Sequence, residues 1–224
     1  IAKLYYRWEQ NADVVVRMPT GAGVGAGPFH SQSNEAWFTH VPGLKVFYPS
    51  TPNDAKGLLN SAIADPNPVM FFEHKALYRS IAEEIPDDYY TIEPGKARLV
   101  KEGQDVTIIT YGMGVHWAES LLNKRKDISA DLIDLRTLIP WDKETIKESI
   151  IKTGKVLVLH EDTLTGGFGG EISAWIAEHC FNYLDSPIIR VSSLDTPVPF
   201  SRILENNFLA NNILEKKLQY LLDY

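Results

Sequence analysis

The sequence predicts an α/β protein with two open, mainly parallel β-sheets. Short apolar runs rich in β-branched residues alternate along the chain with helix-compatible segments. Strands that alternate with helices predict parallel sheets joined by right-handed crossovers. The 224 residues, 44% of them hydrophobic, are enough to bury one large core or two modest ones.

Composition and charge narrow the classes of function. No apolar run approaches the ~20 residues that a membrane-spanning helix needs. The net charge of -7, from 22 basic and 29 acidic residues, argues against a nucleic-acid surface and would suit docking to a basic protein. The single cysteine, Cys180, cannot form a disulfide within these 224 residues, which fits a reducing compartment. We expect Cys180 to lie in the core beside Ile176.

The first unit is predicted to be an α/β sheet that begins near residue 13. A helix end over residues 2–8 precedes it. Three consecutive valines at positions 14–16 favour a strand buried on both faces of the sheet, because β-branched residues suit that setting. The further elements expected here are a helix at 33–38, a strand at 44–48, a helix at 52–64 and a strand at 69–73.

An acidic, proline-punctuated stretch separates the two units. Charge and proline over residues 81–95 suit a solvent-exposed connection, and we place the linker at residues 87–103. The second unit follows as a regular alternation, which predicts a compact open sheet. Its expected strands are at 106–111, 130–135, 156–160 and 188–192, and its expected helices at 115–126, 141–153, 169–181 and 212–222.

A glycine-rich loop at residues 21–27 leads to the polar triplet His30, Ser31 and Gln32. The glycine spacing is G-x-G-x-G-x-G, which matches neither the dinucleotide fingerprint nor the P-loop. A backbone that closely approaches a ligand or a partner chain is the better interpretation. A short helix, a turn and a strand follow, so this order would place one imidazole at the mouth of a site on a rigid frame.

A second stretch of interest ends a predicted strand with His160 and Glu161. The ends of strands in α/β sheets present functional groups, which makes both residues candidates. The glycine run at residues 165–170 then precedes a helix whose N-terminus could hold an anion. This run lacks the P-loop lysine, and tight packing at a subunit interface is an equal alternative.

Two other polar groups follow predicted strands. Glu73, His74 and Arg79 come after a buried strand, where they would either support a site or end the sheet with solvated charges. Asp134 and Arg136 are expected to pair and to lock a strand end, which is a structural role.

Four segments resemble, in the same order, the beta subunit of the thiamine-diphosphate-dependent decarboxylating component of 2-oxoacid dehydrogenase complexes, closest to the branched-chain (2-oxoisovalerate) type. They read FHSQSNEAWFTHVPGLKVFYPSTPNDAKGLL, ADPNPVMFFEHKALYR, DLRTLIPWD and VLVLHEDTLTGGFGGEI. The resemblance covers about residues 12–224. It implies the C-terminal part of a transketolase-like pyrimidine-binding domain at 1–86, the linker at 87–103, and a transketolase C-terminal-like domain at 104–224.

The resemblance also implies a function. The chain would contribute to oxidative decarboxylation of a branched-chain 2-oxoacid and to acyl transfer onto lipoamide of a partner acyltransferase core. Thiamine diphosphate with magnesium would be shared with an alpha subunit, or with the alpha region of a fused chain, and a second beta copy would join the assembly. We expect a C-terminal fragment, inactive alone, because the family's cofactor-activating glutamate would precede it. The setting would be the bacterial cytoplasm or the mitochondrial matrix.

The resemblance assigns site residues one by one. His30 would be catalytic, with its imidazole bound to the oxyanion or carboxylate of the reacting 2-oxoacid, and Ser31 and Gln32 would orient the cofactor. A structural potassium ion would be held mostly by backbone carbonyls. Its matching positions are Ala12, Val14, Val15, Ala62, Asp65 and Asn67. Relatives carry threonine and cysteine in place of Val15 and Ala62, so those side chains would contribute nothing.

Alternative functions remain open at this stage. One alternative is that the chain belongs to a pyruvate dehydrogenase, a closely similar enzyme whose substrate is pyruvate. Another transketolase-like thiamine enzyme shares the second domain, although the FHSQSNEAWF segment favours the dehydrogenase. In a different class, the chain would be a non-catalytic module that dimerises and docks the acyltransferase, which its acidic balance would suit.

Overall fold

The computed structural model describes residues 11–224, so the helix end predicted over residues 2–8 lies outside the described residues. The strands are β1 (Val15–Thr20), β2 (Lys45–Phe47), β3 (Val69–His74), β4 (Arg98–Lys101), β5 (Val106–Thr110), β6 (Ala130–Asp134), β7 (Thr137–Ile139), β8 (Val156–Thr163) and β9 (Ile189–Ser193). The helices are α1 (Gly27–His30), α2 (Glu35–Thr39), α3 (Pro52–Ala64), α4 (Leu77–Ser80), α5 (Met113–Lys124), α6 (Lys143–Thr153), α7 (Gly169–His179), α8 (Arg202–Phe208) and α9 (Asn211–Leu222). Within residues 11–224, none of these helices is long and apolar enough to cross a membrane.

The strands form two sheets. In the first, with the order β1-β3-β2-β7, strands β1, β3 and β2 pair in parallel and β7 joins β2 antiparallel. In the second, with the order β4-β6-β5-β8-β9, the edge strand β4 is antiparallel to β6 and the other pairs are parallel. The predicted α/β class with parallel sheets is confirmed.

Two antiparallel strands depart from the prediction. β4 lies inside residues 87–103, where the sequence indicated only a linker. β7 comes from the second half of the chain, yet it completes the first sheet through Ile139 opposite Val46. These strands are four and three residues long. Their pairing depends on distant partners rather than on a local pattern, because strand preference is mostly packing against neighbours.

The chain crosses from the second sheet to the first at Arg136, whose backbone is left-handed with a φ of 59°. The Arg136 carbonyl accepts a hydrogen bond from the Tyr48 amide at 2.8 Å, and its guanidinium donates to the Asp54 carboxylate at 3.3 Å. The predicted pair of Asp134 and Arg136 is made through the Arg136 amide, at 3.0 Å, and not through the guanidinium. Asp134 also accepts from the Arg98 guanidinium at 3.1 Å.

One hydrophobic core joins the two sheets. Strands β2 and β3 contribute Val46 and Phe72, which pack in the same cluster as Ile109 and Ile133 of the second sheet. Tyr48 contacts both sides, because its ring lies 5.7 Å from that of Phe72 and 5.4 Å from that of Tyr111. Cys180 is buried in this cluster together with Ile176, as the sequence predicted.

Strand β1 is not covered on both faces. Val14 and Val16 are 52% and 41% exposed, so the prediction of a strand buried on both sides is wrong for these residues. β1 is an edge strand that pairs only with β3 among the described strands. Its neighbour β3 is buried along its whole length and carries the centre of the sheet.

Candidate active site

The predicted triplet lies where the one-turn helix α1 ends. His30 is exposed and lines a cavity of about 840 Å³, and Gln32 lines the same cavity. Ser31 is buried beside a second cavity of about 200 Å³, and its hydroxyl has no hydrogen-bond partner among residues 11–224. The Thr20 hydroxyl donates to the Gln32 carbonyl and ties the triplet to the end of β1. His30 and Gln32 therefore share a cavity, whereas Ser31 packs inward.

The glycine-rich loop that precedes His30 is held by two buried carboxylates. Glu161, on β8, accepts a hydrogen bond from the Ala22 amide at 2.7 Å. Glu205, on α8, accepts from the Gly23 amide at 2.9 Å and from the Gly25 amide at 3.0 Å. Successive amides turned to one side of a glycine-rich loop form a concave anion site, and here the chain's own carboxylate occupies it.

Close packing explains why the loop requires glycine at both ends. Gly21 and Gly27 have φ angles of 97° and 62°, which side-chain-bearing residues rarely adopt. A Cβ atom on Gly21 would lie 2.2 Å from the His74 ring, and one on Gly27 would lie 2.2 Å from the Phe200 ring. In residues 11–224, the close approach predicted from the glycine spacing is thus made by the chain's own side chains.

Glu161 is the centre of a buried polar network. Besides the loop amide, its carboxylate binds the His74 ring at 2.7 Å and the Ser33 hydroxyl at 3.2 Å. Burial alone would raise the pKa of Glu161, but the charge and hydrogen bond of His74, together with the hydrogen bonds from Ala22 and Ser33, lower that pKa. β8 continues to Thr163, so His160 and Glu161 lie within the strand and not at its end as predicted. Of these two residues, Glu161 connects directly to the loop that carries His30.

Two further acids lie beneath the loop. Burial, reinforced by the charge of Asp162, raises the pKa of Glu35 to about 8, and the Tyr111 hydroxyl donates to Glu35 at 2.8 Å. Burial, reinforced by the charge of Glu161, raises the pKa of Asp162 to about 6. Glu35 is therefore mostly protonated at neutral pH, because burial disfavours its charged form and the neighbouring carboxylates add repulsion.

His160 does not reach either cavity described above. Its ring is fully buried and stacks on Tyr111 with ring centroids 6.4 Å apart. Neither ring nitrogen has a hydrogen-bond partner among the residues that the structure describes. Burial and the charge of Arg190 lower the pKa of His160 to about 4, so it stays neutral at pH 7. The expectation that His160 presents a functional group is not supported by this position.

The polar residues after β3 divide between two roles. Glu73 accepts hydrogen bonds from the Arg17 guanidinium at 2.6 and 2.9 Å and from the Tyr78 hydroxyl. His74 is buried against Glu161, as described above. Arg79 is exposed and lines the same cavity as His30. Of the predicted trio, only Arg79 lines the cavity of His30, whereas His74 supports the loop through Glu161.

The six positions matched to a potassium site lie close together. The Ala12 amide donates to the Pro66 carbonyl at 3.3 Å, which joins the start of the first strand to the turn after α3. In that turn the Asp65 carboxylate accepts from the Asn67 amide at 2.9 Å and from the Lys45 ammonium. Burial alone would raise the pKa of Asp65, but the hydrogen bonds from Lys45 and Asn67 lower it. The lysine already supplies a cation to the one charged candidate ligand.

Three residues of the site were not singled out from the sequence. Glu205 carries no motif, and 180 positions separate it from Gly25. Glu35 reads as part of a short helix. Lys75 could have been found, because it follows β3 directly and parallel sheets place functional groups at the carboxyl ends of strands. Within the described ranges, no group of three or more His, Cys, Asp or Glu side chains is placed to hold a metal ion.

Comparison with known families agrees with the two-sheet fold. Residues 95–212 match the domain family described as "Transketolase, C-terminal domain", and residues 1–80 match "Transketolase, pyrimidine binding domain". The chain belongs to the transketolase family. A solved member, described as "Split gene transketolase, inactive beta4 tetramer", superposes with a TM-score of 0.74 at 25% identity, over 95% of this chain and 67% of that one.

Two of the curated relatives are dehydrogenase subunits. The 2-oxoisovalerate dehydrogenase subunit beta 2 of Arabidopsis thaliana mitochondria is 50% identical over 188 residues, which are 83% of this chain and 52% of the relative. The pyruvate dehydrogenase E1 component subunit beta of Mycoplasma pneumoniae is 43% identical over 211 residues, which are 93% of this chain and 64% of the relative. The chain thus spans between about half and two thirds of these relatives, and the predicted family is confirmed.

Proposed function

We propose that this chain is the beta part of a decarboxylating 2-oxoacid dehydrogenase that acts on branched-chain 2-oxoacids. The observation that supports it best is the 50% identity to a 2-oxoisovalerate dehydrogenase beta subunit over 83% of this chain, against 43% to a pyruvate dehydrogenase subunit. The reaction would release carbon dioxide and pass the acyl group to lipoamide of an acyltransferase core. The other participants would be an alpha subunit or alpha region and a second beta copy.

His30 is the residue proposed to act on the substrate. It is exposed in a cavity of about 840 Å³, which leaves room for a ligand beside the ring. A neutral imidazole can donate a hydrogen bond to an oxyanion that develops on the 2-oxoacid carbonyl, and can then move a proton. Gln32 lines the same cavity and would orient the bound groups, whereas the buried Ser31 would support the loop from below.

Thiamine diphosphate would supply the carbanion chemistry that decarboxylation requires. The residues that fit the organic part of this cofactor are those of the cavity edge, where Phe29 is 82% exposed next to His30. Magnesium and the diphosphate are assigned to the alpha part. Potassium at the turn formed by Asp65 and Asn67 stays a proposal, supported by the closeness of the matched positions.

The proposal is tested in a reconstituted enzyme. The chain is joined to the preceding part of a relative's beta subunit and co-expressed with an alpha subunit, and carbon dioxide release is measured with 3-methyl-2-oxobutanoate and with pyruvate. We expect a higher kcat/KM for the branched substrate. The His30→Ala variant should lower kcat by about 10² to 10⁴, the usual contribution of a general acid or base.

His40 offers a matched control, because it is another exposed histidine of the same segment. The His40→Ala variant should keep kcat within about twofold of the unmodified enzyme. A His30→Ala variant that is equally active would remove His30 from the mechanism. A higher kcat/KM for pyruvate would move the proposal to the pyruvate class, and binding to a lipoyl acyltransferase without any decarboxylation would favour the docking-module alternative.

A further inference from the structure

The cavity beside His30 carries an unusual balance of charge. Besides His30, three cationic residues line it, namely Arg17, Lys75 and Arg79, and none of its described lining residues is acidic. This contrasts with the chain as a whole, whose net charge is -7. A concave surface with a single sign of charge concentrates ligands of the opposite sign. The cavity is therefore suited to an anion.

Lys75 differs from the other two cations that line this cavity. Its ammonium nitrogen is buried and has no hydrogen-bond partner among residues 11–224. Arg17, by contrast, is already bound by Glu73 at 2.6 Å, and Arg79 is exposed to solvent. Burial lowers the pKa of Lys75, whereas the more distant charges of Glu161 and Glu205 raise it.

The two nearby carboxylates are already committed to other partners. Glu161 is bound by His74, Ser33 and a loop amide, and Glu205 accepts from two glycine amides. A buried ammonium without a hydrogen-bonded partner is unfavourable, so an anion that reaches it gains a charge-assisted hydrogen bond and removes that cost.

Apolar side chains complete the same cavity. Met18, Val24, Ala26 and Phe29 line it together with the cations. A ligand with one anionic end and a short branched aliphatic end would match both kinds of surface. An inorganic phosphate or a diphosphate would use the cations only.

We propose that this cavity is an anion subsite in which the Lys75 ammonium holds the carboxylate of a branched-chain 2-oxoacid. This inference rests on the proposed function and adds a specificity-determining residue to it. The apolar wall formed by Val24 and Phe29 receives the aliphatic end of the substrate, and His30 lies along the same cavity.

The test is a titration of the 224-residue chain, followed by amide NMR, with three probes. They are 3-methyl-2-oxobutanoate, the neutral ketone 3-methyl-2-butanone, which lacks the carboxylate, and inorganic pyrophosphate. We expect saturable binding of the 2-oxoacid to the unmodified chain. The ketone should bind that chain about tenfold more weakly or worse, and so should the 2-oxoacid bind Lys75→Met, because each pair lacks a hydrogen bond to a charged group. Lys75→Arg keeps the charge and should bind within about threefold.

Lys216→Met is the matched control, because Lys216 is exposed on α9, outside the described lining of the cavity. Thermal unfolding of each variant confirms that it is folded. Equal binding to the unmodified chain and to Lys75→Met overturns the proposal, as does the absence of saturable binding of the 2-oxoacid. Pyrophosphate binding that depends on Lys75, without 2-oxoacid binding, also overturns it and assigns the subsite to a phosphate.

The reconstituted enzyme separates this inference from the proposed function. If the Lys75→Met enzyme keeps its KM for 3-methyl-2-oxobutanoate while the unmodified enzyme decarboxylates it, the subsite is wrong and the function stands. If the chain binds the 2-oxoacid through Lys75 but the reconstituted enzyme releases no carbon dioxide, the subsite stands and the proposed function fails.

Discussion

The two sheets of this protein are covered to different extents. In the second sheet, every residue of β5 and β6 is buried. In the first, β3 is equally buried, but the edge strand β1 leaves Val16 41% exposed. The second sheet obtains its cover from its own helices, since α5 and α9 pack in one cluster with β5, β6 and β8. The first sheet has a smaller cluster of its own, in which α3 packs on β2 and β3, and both sheets contribute to the shared core.

This difference explains how the candidate site is held. The loop that carries His30 leaves β1, in the less covered sheet, yet the carboxylates that bind its amides come from β8 and α8. The well-packed half of the molecule therefore positions the loop of the other half. A functional loop on a rigid scaffold is a common arrangement, and here the scaffold belongs to the neighbouring unit.

The largest effect should follow from a change in the shared core. Leu135 is fully buried at the crossing between the sheets, so Leu135→Ala should lower the free energy of unfolding by about 2–5 kcal/mol. Val16→Thr, on the exposed β1 strand, should change it by less than about 0.5 kcal/mol. Urea unfolding followed by tryptophan fluorescence measures both. Similar losses in the two variants would mean that β1 is covered in solution.

A smaller effect should follow from removal of the carboxylate that binds the glycine loop. Glu205→Ala leaves the Gly23 and Gly25 amides without their acceptor, which should cost about 1–3 kcal/mol. Exchange of these two amides with deuterium should become faster, while amides in β5 keep their protection. Glu205→Gln retains one acceptor oxygen, so its exchange rates at Gly23 and Gly25 should fall between those of the unmodified chain and those of Glu205→Ala. Unchanged exchange at Gly23 and Gly25 would show that α8 does not hold the loop.

The smallest effect is a pH-dependent change in the free energy of unfolding, caused by the buried carboxyl of Glu35. The pKa of Glu35 is raised to about 8 by burial, so the folded state binds more protons than the unfolded state between about pH 4.5 and 8. Stability due to this group therefore falls as pH rises through that window. Between pH 6 and pH 7, Glu35→Gln should gain about 1 kcal/mol relative to the unmodified chain.

Equilibrium unfolding of both proteins at pH 6 and pH 7 measures this difference directly. His160, whose pKa is lowered from 6.5 to about 4, makes the free energy of unfolding fall as the pH drops through that range, and it does so in both proteins. A pH-independent difference between Glu35→Gln and the unmodified chain would mean that Glu35 is ionised in the fold, contrary to its buried position.

Local signals explain which elements could be predicted from the sequence. Helix α3 begins where Thr51 accepts a hydrogen bond from the Asp54 amide, and α6 begins where Asp142 accepts from the Thr145 amide. Gly154 ends α6 in a left-handed conformation. These signals lie within a few residues of the elements that they define. The predicted ranges for α3 and for the end of α6 therefore match the structure.

The candidate site divides in the same way. The position of His30 at a cavity follows from its place after a glycine loop, and the sequence resemblance pointed to it. The contacts that hold it do not follow from any local pattern, because 139 and 182 positions separate Glu161 from Ala22 and Glu205 from Gly23. Lys75 directly follows β3 in the sequence. Only the folded structure shows that it lines the cavity and that its ammonium has no hydrogen-bond partner among the described residues.

The sequence by itself determined the α/β class, the order of the main helices and strands, the family and the location of the histidine loop. Only the tertiary structure decided the antiparallel strands β4 and β7, the exposure of β1 and the charge of the cavity. The physical reason is the range of the interactions. Caps, turns and alternating elements are set by neighbours in the chain, whereas short-strand pairing, burial and ion pairing depend on groups that meet only after folding.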